Sequence, residues 1–142
     1  MRFRNGLALA AALLPMLLNA STDAGATLTV TLEGGVPGEG EFVVGLFDAD
    51  DKWLKEVKRE TRVRVDEEGR AVVAFDDLPA GRFAISTYQD KNENGKIDTF
   101  MGIPREPYAF SNDARGTFGP AKFEDAAFDF GAEDQDLEIR FP

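Results

Sequence analysis

From residue 27 onward, apolar and polar residues alternate with a period of two in one short stretch after another. Thr27–Glu33 sets Leu28, Val30 and Leu32 on one face and Thr27, Thr29 and Thr31 on the other. Successive side chains of a pleated strand point to opposite faces, so this is the pattern of a half-buried strand. Glu41–Asp48 carries Phe42, Val43, Val44, Leu46 and Phe47, a nearly unbroken apolar run that predicts a central strand covered on both faces. Val57–Asp66 turns Thr61, Val63 and Val65 inward and Arg62 and Arg64 outward. Arg70–Phe75 and Phe83–Tyr88 are the fourth and fifth predicted strands. Phe123–Phe130 begins as a turn and ends as a strand, and Gln135–Phe141 closes the series with Leu137, Ile139 and Phe141 on one face. Gly- and Pro-rich turns separate these runs. The expectation is an all-β sandwich of about seven strands, with a long ordered loop after the fifth.

The corner Asp77-Leu78-Pro79-Ala80-Gly81-Arg82-Phe83 resembles that of transthyretin-like and carboxypeptidase-regulatory-like modules. The resemblance implies a Greek-key sandwich of the transthyretin or immunoglobulin type.

The first 26 residues read differently. Arg2 and Arg4 precede an apolar run from Gly6 to Leu18, and Ala24-Gly25-Ala26 is a small-residue cleavage signal. That order predicts a signal peptide over residues 1–26, a single domain over 27–142, and a periplasmic or extracellular destination. The run is too short for a permanent membrane anchor, so no stable membrane insertion is expected once the signal is removed. No cysteine follows it to carry a lipid.

The chain has neither cysteine nor histidine. Disulfides, a thiolate nucleophile, zinc–sulfur sites and a Ser–His–Asp triad are therefore excluded. The net charge is −10, and loss of Arg2, Arg4 and Asp23 with the signal makes it −11. Such a surface argues against nucleic acid and anionic membranes as partners, and suits divalent cations.

One stretch carries chemistry. Asp90-Lys91-Asn92-Glu93-Asn94-Gly95-Lys96-Ile97-Asp98 follows the first nine positions of an EF-hand calcium loop. Calcium needs six to eight oxygens, and Asp90, Asn92 and Asn94 stand at the first, third and fifth positions. Gly95 permits the sharp turn, Lys96 offers its carbonyl, and Asp98 binds directly or through water. The twelfth position holds Met101 where the motif has a bidentate Glu, so Glu106 or Asp113 must supply the missing carboxylate. No helical pattern flanks the loop, so this is not an EF-hand protein. The expected affinity is weak, on the order of 10⁻⁴–10⁻³ M, and the expected role structural. A type I′ hairpin turn at Asn94-Gly95 is the competing explanation.

Thr99–Ser111 is read as an ordered excursion over the sandwich, because Pro104 and Pro107 argue against a central strand. Trp53 is expected as a lid over a sheet edge, with a ligand-facing ring as the alternative. Seven phenylalanines from Phe100 to Phe141 are expected to fill the core beneath the excursion.

The string Phe83–Gln89, then Asp90–Asp98, Met101-Gly102-Ile103-Pro104-Arg105-Glu106, Tyr108–Asn112 and Phe123–Ala126 resembles a family of exported bacterial proteins, known as domain of unknown function twenty-one forty-one. The family often has His where this chain has Gln89, and Gly where it has Ala109. The resemblance implies a secreted compact β domain with an Asp/Asn loop, and no activity. Ser111 or Asn112 is expected to cap the excursion.

Three functions compete. The first is a non-enzymatic, calcium-stabilised structural or partner-binding module of the envelope, with no catalytic residue. The second is a binder of a carbohydrate or apolar ligand, using Trp53, Tyr88, Tyr108 and the loop phenylalanines. The third is a hydrolase built on Asp90, Asp98 or Glu106.

Overall fold

A computed structural model describes residues 25–142. The predicted signal peptide lies outside the described residues except for Gly25 and Ala26. Among the described residues ten strands form: β1 (Ala26–Glu33), β2 (Glu41–Phe47), β3 (Arg59–Arg64), β4 (Ala71–Leu78), β5 (Gly81–Asp90), β6 (Thr99–Phe100), β7 (Ile103–Pro104), β8 (Tyr108–Phe110), β9 (Phe128–Phe130) and β10 (Gln135–Arg140). One short helix, α1, covers Phe123–Ala126.

Two sheets face each other. One has the order β10-β1-β4, and the other β3-β2-β5-β8, with β9 also paired to β5. β5 returns beside β2, past β3 and β4, which is Greek-key order. β10 lies parallel to β1, in register from Leu28–Gln135 to Glu33–Arg140.

The alternation sets the core. Leu28, Val30 and Leu32 of β1 and Phe75 and Leu78 of β4 meet Phe42, Val44 and Leu46 of β2 and Ile85 of β5. Phe141, just past β10, stacks on Phe42 with ring centroids 4.8 Å apart. A second apolar cluster lies on the outer face of the β2–β5 sheet: Phe47, Ala84 and Phe110 beneath Trp53, Phe123 and Ala126. β2 is thus covered on both sides along this part of its length, as its unbroken apolar run required. Trp53 is the expected lid. Its indole meets Phe47 edge-on at 5.0 Å and donates to the Ala121 carbonyl at 2.8 Å.

The structure corrects several expectations. β4 runs on to Leu78, because Asp77, at φ +55°, forms a bulge that realigns the strand with β1. β5 reaches Asp90 instead of ending at Tyr88. The excursion is not all loop. Its β6–β7 hairpin turns through Met101 and Gly102, both at positive φ, as a type I′ turn demands. β8 joins the sheet despite Pro107, whose carbonyl accepts the Gln89 N–H at 2.9 Å. Proline is tolerated here because it precedes the strand, where its missing N–H is not needed. The phenylalanine expectation holds for Phe110, Phe123, Phe130 and Phe141, but Phe100 and Phe118 are exposed.

Candidate functional site

Strand β5 delivers Gln89 and Asp90 side by side at its end, both fully buried. The Gln89 amide bridges to the turn between β1 and β2. Its Oε1 accepts the Val36 N–H at 2.8 Å, and its Nε2 donates to the carbonyls of Val36 and Glu39. Gly40, at φ +63°, lets that turn approach so closely that a Cβ there would lie 2.1 Å from the Asp90 carbonyl oxygen. The first position of the loop is therefore fixed by the sandwich itself.

From Asp90 the chain curls. Asp90 Oδ1 accepts the Asn94 N–H at 3.1 Å, and Oδ2 accepts the Gly95 N–H at 2.7 Å. Asn92 Oδ1 accepts the Asn94 N–H, and Asn94 Oδ1 the Lys96 N–H, at 3.2 and 3.1 Å. Positive φ falls at Glu93 and Gly95 and not at Asn94. A type I′ turn needs both Asn94 and Gly95 there, so the competing hairpin turn is not what forms.

The far end of the loop is tied by amides. Asn92 and Asn94 each donate an amide N–H to Asp98, both at 2.7 Å. These bonds, Asn94 first, hold the Asp98 carboxyl below its ordinary value. Lys96 and its side chain are exposed.

Glu106 does what spacing alone did not reveal. It is 6% exposed, and its two oxygens accept the Lys91 N–H at 2.8 Å and the Asp98 N–H at 3.0 Å. One buried carboxylate thus staples both ends of the loop from eight residues beyond it. Asp113, the other candidate, faces elsewhere and accepts the Arg140 N–H at 3.2 Å. Arg62, also missed in the sequence, brings its guanidinium to 3.8 Å from Asp90, 3.5 Å from Glu41 and 3.4 Å from Glu60. Its signal was the outward alternation of β3, which placed it beside β2 but could not show what it meets.

Asp90, Asn92, Asn94, Lys96, Asp98 and Glu106 are thus joined in one hydrogen-bonded loop. Among the described residues no three acidic side chains gather closely enough to enclose an ion. The donor chemistry fits a hard cation all the same: carboxylate, amide and backbone oxygens, without nitrogen or sulfur. Asp90 Oδ1 and Oδ2 and the two asparagine oxygens each accept N–H groups while a second lone pair remains on each.

Ser111 is fully buried, and its Oγ accepts the Ile85 N–H at 2.9 Å and donates to the Ala126 carbonyl. The Asn112 amide donates to the Ala127 and Asp125 carbonyls. Both residues cap the excursion, as expected.

The sequence model of a family described as "Uncharacterized protein conserved in bacteria (DUF2141)" matches residues 30–138. No curated protein matches the chain. Two solved structures of a pilus-presented adhesin, Spy0125 (Cpa), are similar at 11% and 13% identity, with TM-scores of 0.31 and 0.27. Each match covers 99% of this chain but only 29% and 30% of the adhesin chains, so this chain spans less than a third of their length. TM-scores of that size carry no argument about role.

Proposed function

The chain belongs to this uncharacterised bacterial family (DUF2141), and from that premise we propose that it is an exported, calcium-stabilised β-sandwich acting in the periplasm or at the cell surface as a structural or partner-binding module. The observation that carries the reading is the pair of buried carboxylates, Asp90 and Glu106, spent on one loop. Burying a carboxylate is costly unless charge or hydrogen bonds compensate it. Backbone N–H groups and, for Asp90, the Arg62 guanidinium compensate part of that cost, and a divalent cation would compensate the rest. Asp90, Asn92, Asn94, the Lys96 carbonyl, Asp98 and Glu106 are the residues that would hold it.

On this reading the ion belongs to the fold. Glu106 fastens the loop to the segment that leads into β8, so tightening the loop tightens the excursion. The choice of binding over catalysis is supported by how the candidate groups are used. The Ser111 hydroxyl is committed to backbone, and the Asp90, Asp98 and Glu106 oxygens are directed at N–H groups instead of facing each other across a cleft. The partner is an envelope protein or ligand, and the charge of −10 disfavours nucleic acid.

Melting the protein with calcium tests this. At about tenfold excess over Kd, linkage gives roughly 1.4 kcal/mol, a rise in Tm of roughly 5 °C for a domain of this size. Asp98→Ala should remove the rise; because it also gives up the Asn92 and Asn94 amide bonds, its calcium-free Tm should be somewhat lower, and the calcium-induced shift is the readout. An unaltered Tm in millimolar calcium would end the proposal.

A further inference from the structure

The outer face of the β2–β5 sheet is covered at one end only. Trp53 and α1 lie over Phe47, Ala84 and Phe110. Beyond them the register pairs Gly45 with Ser86 and Val43 with Tyr88. Gly45 and Ser86 are small, and the Phe47 and Val57 side chains lean over Gly45, within 3.3 Å of where its Cβ would sit. The result is a groove of about 380 Å³. Tyr88 and Tyr108 form one part of its wall, Val57 and Leu54 another, and Ile97 of the loop with Pro104 of the excursion a third. Leu54, Val57 and Tyr108 are each more than a third exposed. A mostly apolar concavity with a few polar groups is the usual form of a small-ligand site.

Charge narrows the ligand. Glu60 lines the groove and is paired across strands with Gly45 of its floor. The nearby guanidinium of Arg62 is shared among Glu41, Glu60 and Asp90, three carboxylates around one cation. Tyrosine rings beside excess negative charge attract cations, through the ring quadrupole as well as through the carboxylate.

We propose that this groove binds a small molecule with an apolar body and an ammonium head, the body over Ser86 and the head beside Glu60. The proposal names the ligand class for the binding module proposed above and rests on that reading, but it does not require the calcium.

The test uses two dansyl probes on the full chain, one ending in an alkylammonium and one in a carboxylate, each titrated in EDTA and again in calcium. The ammonium probe should bind saturably with blue-shifted emission, about tenfold tighter than its carboxylate counterpart. Glu60→Gln should reduce that preference to about threefold or less. Ser86→Leu should abolish binding by filling the floor. Tyr108→Ala, at an exposed position, is the second variant if Ser86→Leu lowers the Tm, and it should weaken binding. Equal affinity for both probes, no saturable binding, or undiminished binding in Tyr108→Ala would overturn the proposal. Probe binding that falls as protein concentration rises would overturn it in favour of a second copy as occupant. Binding in EDTA without any calcium effect on Tm would leave the groove standing and remove the calcium loop.

Discussion

The Ser111 hydroxyl sits at a gap in β5. β8 pairs with Ser86–Tyr88 and β9 with Gly81–Phe83 along the same edge, which leaves the Ile85 N–H to find a partner elsewhere. Ser111 supplies it and donates its own O–H to the Ala126 carbonyl. Ser111→Ala should therefore cost roughly 1–3 kcal/mol in urea denaturation, the penalty for a buried backbone group left unpaired. Gly40→Ala should be worse than its size implies, about 2 kcal/mol or more, since it meets both the left-handed backbone and the Asp90 carbonyl. Asp66 allows a test with a sign. The N–H groups of Arg70 and Glu68 hold its carboxyl below 3.8. Its contribution is thus complete above that value and is lost as pH falls through the lower folded value. An NMR titration should find the Asp66 midpoint below 3.8, and Asp66→Ala should remove the corresponding acid-side slope in stability. At this scale the sequence exposed which residues were unusual, but not their partners. Asp90 and Asn94 stood out by spacing, whereas Ser111 and Ile85 are 26 residues apart and Gln89 reaches Val36 across 53.

The strands with strong period-two patterns were legible, since burial on one face leaves few alternatives. β6, β7 and β8 were not, being two or three residues long, with Pro104 inside β7 and Pro107 just before β8. Their pairing depends on the hairpin turn and on the edge that β5 offers, both properties of the folded neighbourhood. The Asp77 bulge escaped for the same reason, because a sequence that reads as a turn can continue a strand when one residue bulges. The lid is the element with the clearest energetic claim. Trp53 touches Phe47, Phe110 and Phe123 while its indole N–H is satisfied by Ala121. Trp53→Ala should cost roughly 3–5 kcal/mol, measured by chemical denaturation. The hairpin tip carries exposed Phe100, Met101 and Ile103, the last two flanking or forming its turn. Little core depends on them, so Met101→Asn, a residue suited to a type I′ turn, should leave Tm unchanged or slightly raised.

Across the whole molecule, a sandwich without disulfides holds an acidic loop in place at the end of its longest strand. Two apolar layers flank β2 and β5, and both the loop and the groove hang from that same pair of strands. Ile97 of the loop and Pro104 of the excursion both line the groove, so on the proposed reading a tightened loop would be felt at the groove wall. Calcium should accordingly slow amide exchange at Asn94, Gly95 and Asp98 and along the excursion to β8, while leaving β1 and β10 as they were. The central claim is that the oxygens of this loop serve a cation. A crystal structure grown in calcium, with anomalous data collected at long wavelength, tests it most directly. One anomalous peak should appear inside the loop, with oxygens of Asp90, Asn92, Asn94, Lys96, Asp98 and Glu106 at roughly 2.3–2.6 Å. A loop still closed by the Asn92 and Asn94 amides on Asp98, with no peak among them, would contradict it.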